Sequence, residues 1–180
     1  MTSSTLAGIV AALLTLCVSA PALASKEELD AKIRATIERL HRDVKAGEEL
    51  SNRAEGMLVF PNVYKAGIAI GGAVGEGALL VNGETVQYYR TTGLSFGWQL
   101  GGQARSEVIL FMTPDALKGF RESNGWQAGV DGSVAVIEFG VGKAVDSRNI
   151  RDPIIGFVFG NKGLMFDVSL NGSKYWRITK

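Results

Sequence analysis

Leu94-Ser95-Phe96-Gly97-Trp98-Gln99-Leu100 is the stretch that decides the fold class. Leu94, Phe96, Trp98 and Leu100 alternate with Ser95, Gly97 and Gln99, so an extended chain here is apolar on one side, the pattern of a strand with one face on a core. Leu164, Phe166, Val168 and Leu170 repeat it against Met165, Asp167 and Ser169. Around these runs, Asn82-Gly83 and Asn171-Gly172 read as tight primed turns, which need positive φ at both central positions. With Asn161-Lys162-Gly163 as another turn, Ile154 to Thr179 is expected as a three-stranded meander. The uncharged run Ala66 to Gly75 is closed by Lys65 and Glu76. It is too short for a membrane helix, which needs about 20 residues, and reads as a bent strand pair.

Working outward, the period changes. Leu29, Ile33, Ile37, Leu40 and Val44 recur every three or four residues and form one narrow helical stripe. Ser25 with Glu28 matches a capping box, and Gly47 is the expected stop, with a second short helix over Glu48 to Glu55. Lys32 and Arg39 flank the stripe on one side, Arg34 and Lys45 on the other, mixed with acids. Thr113 as cap and Pro114 in the first turn start another helix near 114–122, with Leu117 and Phe120 inward. The expected fold is mainly β (α+β): an antiparallel β-barrel or sandwich with an N-terminal amphipathic helix and one short helix.

Composition narrows the function. The 180 residues are 46% hydrophobic and 21% charged, with one Cys and one His, which excludes a disordered chain and a disulfide scaffold. Met1 to Ala24 holds no charged side chain; its apolar run Leu6 to Val18 and the small-x-small site Ala22-Leu23-Ala24 read as a signal peptide. Removing residues 1–24 leaves 180 − 24 = 156 residues and no cysteine. The expected organisation is then a helical segment over 25–55 and a β-rich domain over 56–180 in one globular unit, exported to a periplasmic or secreted location. A net charge of +1 lacks the strong positive field of a nucleic-acid binder.

Reactive chemistry is scarce. Without a thiol, and with His41 alone, Cys–His catalysis and Cys/His metal cages are out of reach, and no G-x-S-x-G elbow accompanies His41. Gly75-Glu76-Gly77 lacks the third glycine of a dinucleotide loop, where Leu80 stands. Gly142-Lys143 lacks both the first glycine and the hydroxyl of a phosphate loop, at Ile137 and Ala144. The remaining acid–base candidates are Glu76, Glu84, Glu107, Asp131, Glu138, Asp146, Asp152 and Asp167, most of them read as outward strand or turn residues. No cofactor, metal or catalytic residue is assigned.

Four ordered stretches resemble the SYLF domain family. They are Ala54-Glu55-Gly56-Met57-Leu58-Val59-Phe60 with Val63-Tyr64-Lys65-Ala66-Gly67; Gly93 to Gln103 running into Val108-Ile109-Leu110-Phe111-Met112; Gly129 to Val136; and Lys162 to Ser173. The resemblance spans roughly Glu48 to Ile178. It implies a non-catalytic lipid-binding module for anionic phospholipid or phosphoinositide headgroups, with Ser25 to Ala46 in the place of the family's membrane-binding segment. Actin binding is not expected of an exported chain. The candidate lipid-binding residues are Lys32, Arg39, Lys65, Lys174, Trp176 and Arg177, with the helical stripe or Trp176 inserting. Two alternatives stand beside this reading: an envelope protein that binds a polypeptide partner, and a hydrolase using two carboxylates such as Glu76 and Glu138.

Overall fold

A computed structural model describes residues 25–97, 103–137, 151–160, 163–164 and 169–180. The expected leader over 1–24, the strand end at Trp98 to Leu100, and Glu138, Asp146 and Asp167 lie outside them. Two helices open the chain, α1 (Lys26–Asp43) and α2 (Gly47–Arg53). They are followed by β1 (Gly56–Val81), β2 (Glu84–Gly97), β3 (Gln103–Phe111), α3 (Pro114–Glu122), β4 (Trp126–Gln127), β5 (Ala135–Val136), β6 (Ile154–Gly160), β7 (Gly163–Leu164) and β8 (Lys174–Ile178). The strands form one sheet in the order β4-β8-β2-β1-β3-β6-β5, with β7 on β6, and all pairs are antiparallel except β5 with β6. The sheet curls into a half-barrel, so of the two expected forms it has the curl of a barrel within a single sheet.

Local chemistry explains the elements. Ser25 caps α1, its hydroxyl accepting from the Glu28 N–H at 3.2 Å. Thr113 caps α3 the same way from the Ala116 N–H, with Pro114 in the first turn, where its missing N–H costs nothing. Asn82 at φ 53° and Gly83 at φ 80° make the β1–β2 turn the primed type that a twisted hairpin requires.

Three expectations change. Gly47 does not end α1; it opens α2, and a Cβ there would sit 2.4 Å from the Leu40 carbonyl oxygen, so its bareness lets α2 pack against α1. The run Ala66 to Gly75 belongs to one continuous strand, β1, not to a pair. The C-terminal meander is only partly formed: β7 pairs with β6, but β8 leaves for the opposite side of the sheet and pairs with β2 and β4. Gly172 does turn the chain at φ 85°, with its N–H bonded to the Ala128 carbonyl, but Asn171 does not have the positive φ that the expected primed turn requires. A turn signal fixes where the chain reverses, not which edge receives the next strand.

The two faces of the sheet carry separate cores. On one, Leu58, Phe60, Leu79, Ile109 and Phe111 pack with Phe120 of α3, Trp126 and Tyr175. On the other, Val59, Ala78, Tyr88, Val108, Leu110 and Phe157 pack with Leu29, Ile33, Leu40 and Val44 from α1 and the turn after it, and with Leu50 of α2. Every stripe residue expected to face inward does so, Ile37 only in part. Burying four such aliphatic side chains contributes on the order of 1.5–3 kcal/mol each.

The halves of β1 pair with different neighbours, 56–65 with β3 and 69–81 with β2. The register slips between Phe60 and Val63, and the halves then approach so closely that a Cβ on Gly77 would lie 2.1 Å from the Val59 carbonyl oxygen and 2.7 Å from the Phe60 ring. Gly77→Ala is therefore expected to lower stability by about 1–3 kcal/mol in chemical denaturation, because backbone cannot move aside cheaply. Gly119→Ala, on exposed α3 with open space around its Cβ position, should instead raise stability by about 1 kcal/mol.

Candidate functional site

β8 is short and alternates. Tyr175 points into the α3-side core, while Lys174 and Trp176 point to the α1 side and are exposed. Their register partners on β2 are Thr92 for Lys174 and Arg90 for Trp176, and Glu76 of β1 is the next neighbour of Arg90. Lys174, Trp176, Arg90, Thr92, Glu76 and Val74 thus occupy one area of the sheet beside α1. Trp176 is 43% exposed and Val74 47%, both large apolar side chains left in contact with water.

Trp176 is held in place. Its ring lies against Gly125, where a Cβ would be 2.5 Å from ring atom Cζ3 and where φ is 93°, so the position needs glycine for both space and backbone. Its indole N–H faces the Thr92 hydroxyl at 3.4 Å, longer than a good hydrogen bond, and the Lys174 ammonium sits 5.9 Å from the ring centroid, at the outer limit of a cation–π contact. Arg90 donates to Glu76 at 2.8 Å, and Lys180 bonds the other carboxylate oxygen at 2.5 Å. Burial alone would raise the Glu76 pKa, but the two cations outweigh it and hold it below the usual carboxylate range. Arg90 and Lys180 thus engage Glu76, and Lys180 also lies near Glu28 at the start of α1, while the exposed Lys174 ammonium stands beside the exposed indole.

The other candidates are dispersed. Arg177 is exposed but on the α3 side of β8, opposite Tyr89. Lys32 is ion-paired with Glu28 at 2.5 Å on α1. Arg39 bonds Asp43 at 3.2 Å, donates to the Gly160 carbonyl at 2.6 Å and lies 5.1 Å over the Phe159 ring, so it fastens α1 to the end of β6. Lys65 lies on the α3 side; burial and the nearby Arg105 guanidinium lower its pKa, against the pull of Glu107.

α1 is docked by polar ties as well as by its stripe. The Tyr88 phenol donates to the Asp30 carboxylate, 2.8 and 2.9 Å from its two oxygens. Sequence reasoning missed this pair and a second, the buried Arg105–Glu107 ion pair on the α3 side. Glu107, one of the eight acid–base candidates most of which read as outward, is 1% exposed: its strand position faces the core, and Arg105, two residues away on the same face, neutralises it. Their i, i+2 spacing on a strand was the signal that could have found them. Among the described residues, no group of three or more His, Cys, Asp or Glu could hold a metal ion, and no helix is long and apolar enough to cross a membrane.

Residues 92–179 match the family model Ysc84, Las17-binding protein actin regulator, which is the SYLF domain that the motifs resemble. β8 and the second strand of the exposed area fall within that match from Thr92 onward. The SYLF family is linked to lipid or actin-patch binding. No curated protein matches the chain.

Burial, and then the Asp30 carboxylate, push the Tyr88 phenol up from 10 to about 12. A group held more tightly protonated in the folded state contributes fully below its unfolded pKa and is lost as pH rises through its folded one. Unfolding midpoints of the native chain should therefore fall between pH 10 and 12. Tyr88→Phe should cost about 1–2 kcal/mol at pH 7, by loss of a hydrogen bond to a charged group, and should flatten that fall.

Proposed function

We propose that the chain is a non-catalytic module that binds the anionic headgroups of a membrane surface through the area around Lys174 and Trp176. The observation that carries this reading is the pairing, on one side of β8, of a fixed and exposed indole with an exposed ammonium, next to Arg90 and Val74. An indole is most stable at headgroup depth, with its ring in the apolar boundary and its N–H near water, and cations beside it meet the phosphates. The SYLF match over 92–179 adds a family linked to lipid binding.

The docked helix favours β8 over α1 as the contact. The stripe gains the same transfer energy against the sheet as it would in lipid, since both remove the same apolar area from water. The Tyr88–Asp30 and Arg39–Gly160 ties then tip the balance toward docking. Lys32 stands at the margin as a further headgroup contact, whereas Arg177 faces the other side of the sheet, and the apolar leader-like run over 1–24 supports export to an envelope membrane. The carboxylate-hydrolase reading draws no support from Glu76 or Glu107, since each is already engaged by cations.

Co-sedimentation with vesicles tests the proposal. Binding should require anionic lipid and weaken as salt rises from about 0.05 to 0.5 M, because the screening length for exposed charges falls from about 14 Å to about 4 Å across that range. Lys174→Glu combined with Trp176→Ala should weaken binding at least about tenfold, at roughly 1 kcal/mol for each cation near the surface. Arg34→Glu, on the exposed side of α1, should change it little. Equal binding to neutral vesicles, or an undiminished double variant, would reject the site; no binding to any vesicle would favour a polypeptide partner.

A further inference from the structure

Three asparagines of the chain are followed by glycine, Asn82, Asn124 and Asn171, and their surroundings differ. Asn82-Gly83 is the tip of the β1–β2 hairpin, with both residues exposed and both at positive φ. The ladder behind it is thin. Only Val81↔Glu84 and Leu80↔Thr85 lie between the turn and the register shift at Leu79/Leu80. Among the described residues no third strand pairs beside them, since β3 takes 56–65 of β1 and β8 takes 88–92 of β2. A two-stranded ladder cut off by such an irregularity opens at low cost. Among the described residues, the Gly83 N–H and the Asn82 carboxamide make no hydrogen bond that would hold them in place.

The other two pairs are held. The Gly172 N–H bonds the Ala128 carbonyl at 2.9 Å, the Ser173 N–H bonds the Leu170 carbonyl across the turn at 3.0 Å, and the Asn171 N–H bonds the Ser169 hydroxyl at 3.0 Å. The Asn171 side chain also packs on Gly129, where a Cβ would lie 2.9 Å from its Oδ1. Gly125 sits under the Trp176 ring, and the next residue, Trp126, is 2% exposed in the core. Moving either glycine nitrogen therefore means breaking hydrogen bonds at one pair, and displacing a packed indole at the other.

That difference selects where the chain can react with itself. Asparagine is heat-labile, and a glycine after it carries no Cβ to keep its nitrogen away from the side chain. At Asn82 the Gly83 nitrogen would form a bond to Cγ, the Cγ–Nδ2 bond would break, and ammonia would leave with the proton that the nitrogen gives up. Water then adds to one of the two carbonyls of the five-membered imide. Opening on one side leaves an aspartate, which tolerates positive φ; opening on the other leaves an isoaspartate, whose main chain runs through Cβ and Cγ and no longer fits a two-residue primed turn. We propose that Asn82 is a site of spontaneous deamidation in the folded chain, selected over Asn124 and Asn171 by the open tip of the β1–β2 hairpin. Each conversion turns a neutral amide into a carboxylate and takes the net charge from +1 to +1 − 1 = 0.

Ageing of the full chain at mildly alkaline pH, followed by tryptic mass mapping, tests this. Each asparagine in question is the one asparagine of its fragment: Asn82 in 66–90, Asn124 in 122–143 and Asn171 in 163–174. In the folded chain, fragment 66–90 should exchange ammonia for water at least about tenfold faster than the other two, because each extra tie adds to the cost of opening. An isoaspartate-specific methyltransferase should label that fragment first, and a more acidic ion-exchange peak should grow at the same rate. Asn82→Asp should elute with that acidic peak from the start and shift no further on the same timescale. In guanidinium chloride, where the turns are gone and each site is simply asparagine before glycine, the three rates should converge. Equal rates in the folded chain, faster conversion at Asn124 or Asn171, or an Asn82 that reacts only in denaturant would overturn the proposal.

Discussion

The structure depends on how closely the two halves of β1 can approach. A 26-residue strand has to serve two neighbours in different directions, β3 along its first half and β2 along its second. It can do so only by curling until backbone meets backbone. At Gly77 and Gly75 the space for a side chain is already filled, by the Val59 carbonyl in one case and by the Asn62 carbonyl and Val63 in the other. The curl makes one face of the sheet a closed aromatic core around Phe60, Phe120 and Tyr175, and leaves the other to be covered by α1. It also fixes β2 so that its far edge is open to β8.

From that division come two kinds of polar chemistry. On the α1 side, the Lys174 ammonium and the Trp176 ring seated on Gly125 meet water, beside Glu76 engaged by Arg90 and Lys180. Such groups act through long-range attraction and shallow insertion, which suits a planar charged surface. On the α3 side, Arg105, Glu107 and Tyr175 are cut off from water, where every unmatched lone pair is costly and geometry selects the partner. A single sheet thus carries exposed charge and an exposed indole on one face and a buried ion pair on the other.

Much of the fold was legible because its signals are local. The stripe from Leu29 to Val44, the Ser25 and Thr113 caps and the Asn82-Gly83 turn each depend on residues within a few positions of one another, and each is found as read. The destination of β8 was not legible, since it follows from which sheet edge is left open by strands more than 70 residues away. The site was legible only in part. Lys174 and Trp176 stand two apart on a strand and so share a face, but Arg90 and Glu76 join them through pairing that no sequence spacing shows. Arg39 looked like a free cation on a helix flank; its bond to Gly160 is a contact across 121 residues.

The central claim is that α1 remains docked while β8 meets the membrane. Hydrogen exchange of the backbone amides, followed with and without anionic vesicles, measures this directly. The account predicts that α1 amides keep their protection unchanged when lipid is added, while those of β8 and the neighbouring part of β2 exchange more slowly. Loss of the sheet's protection beneath α1 on adding lipid, with β8 unaffected, would contradict it and make the helix the inserting element.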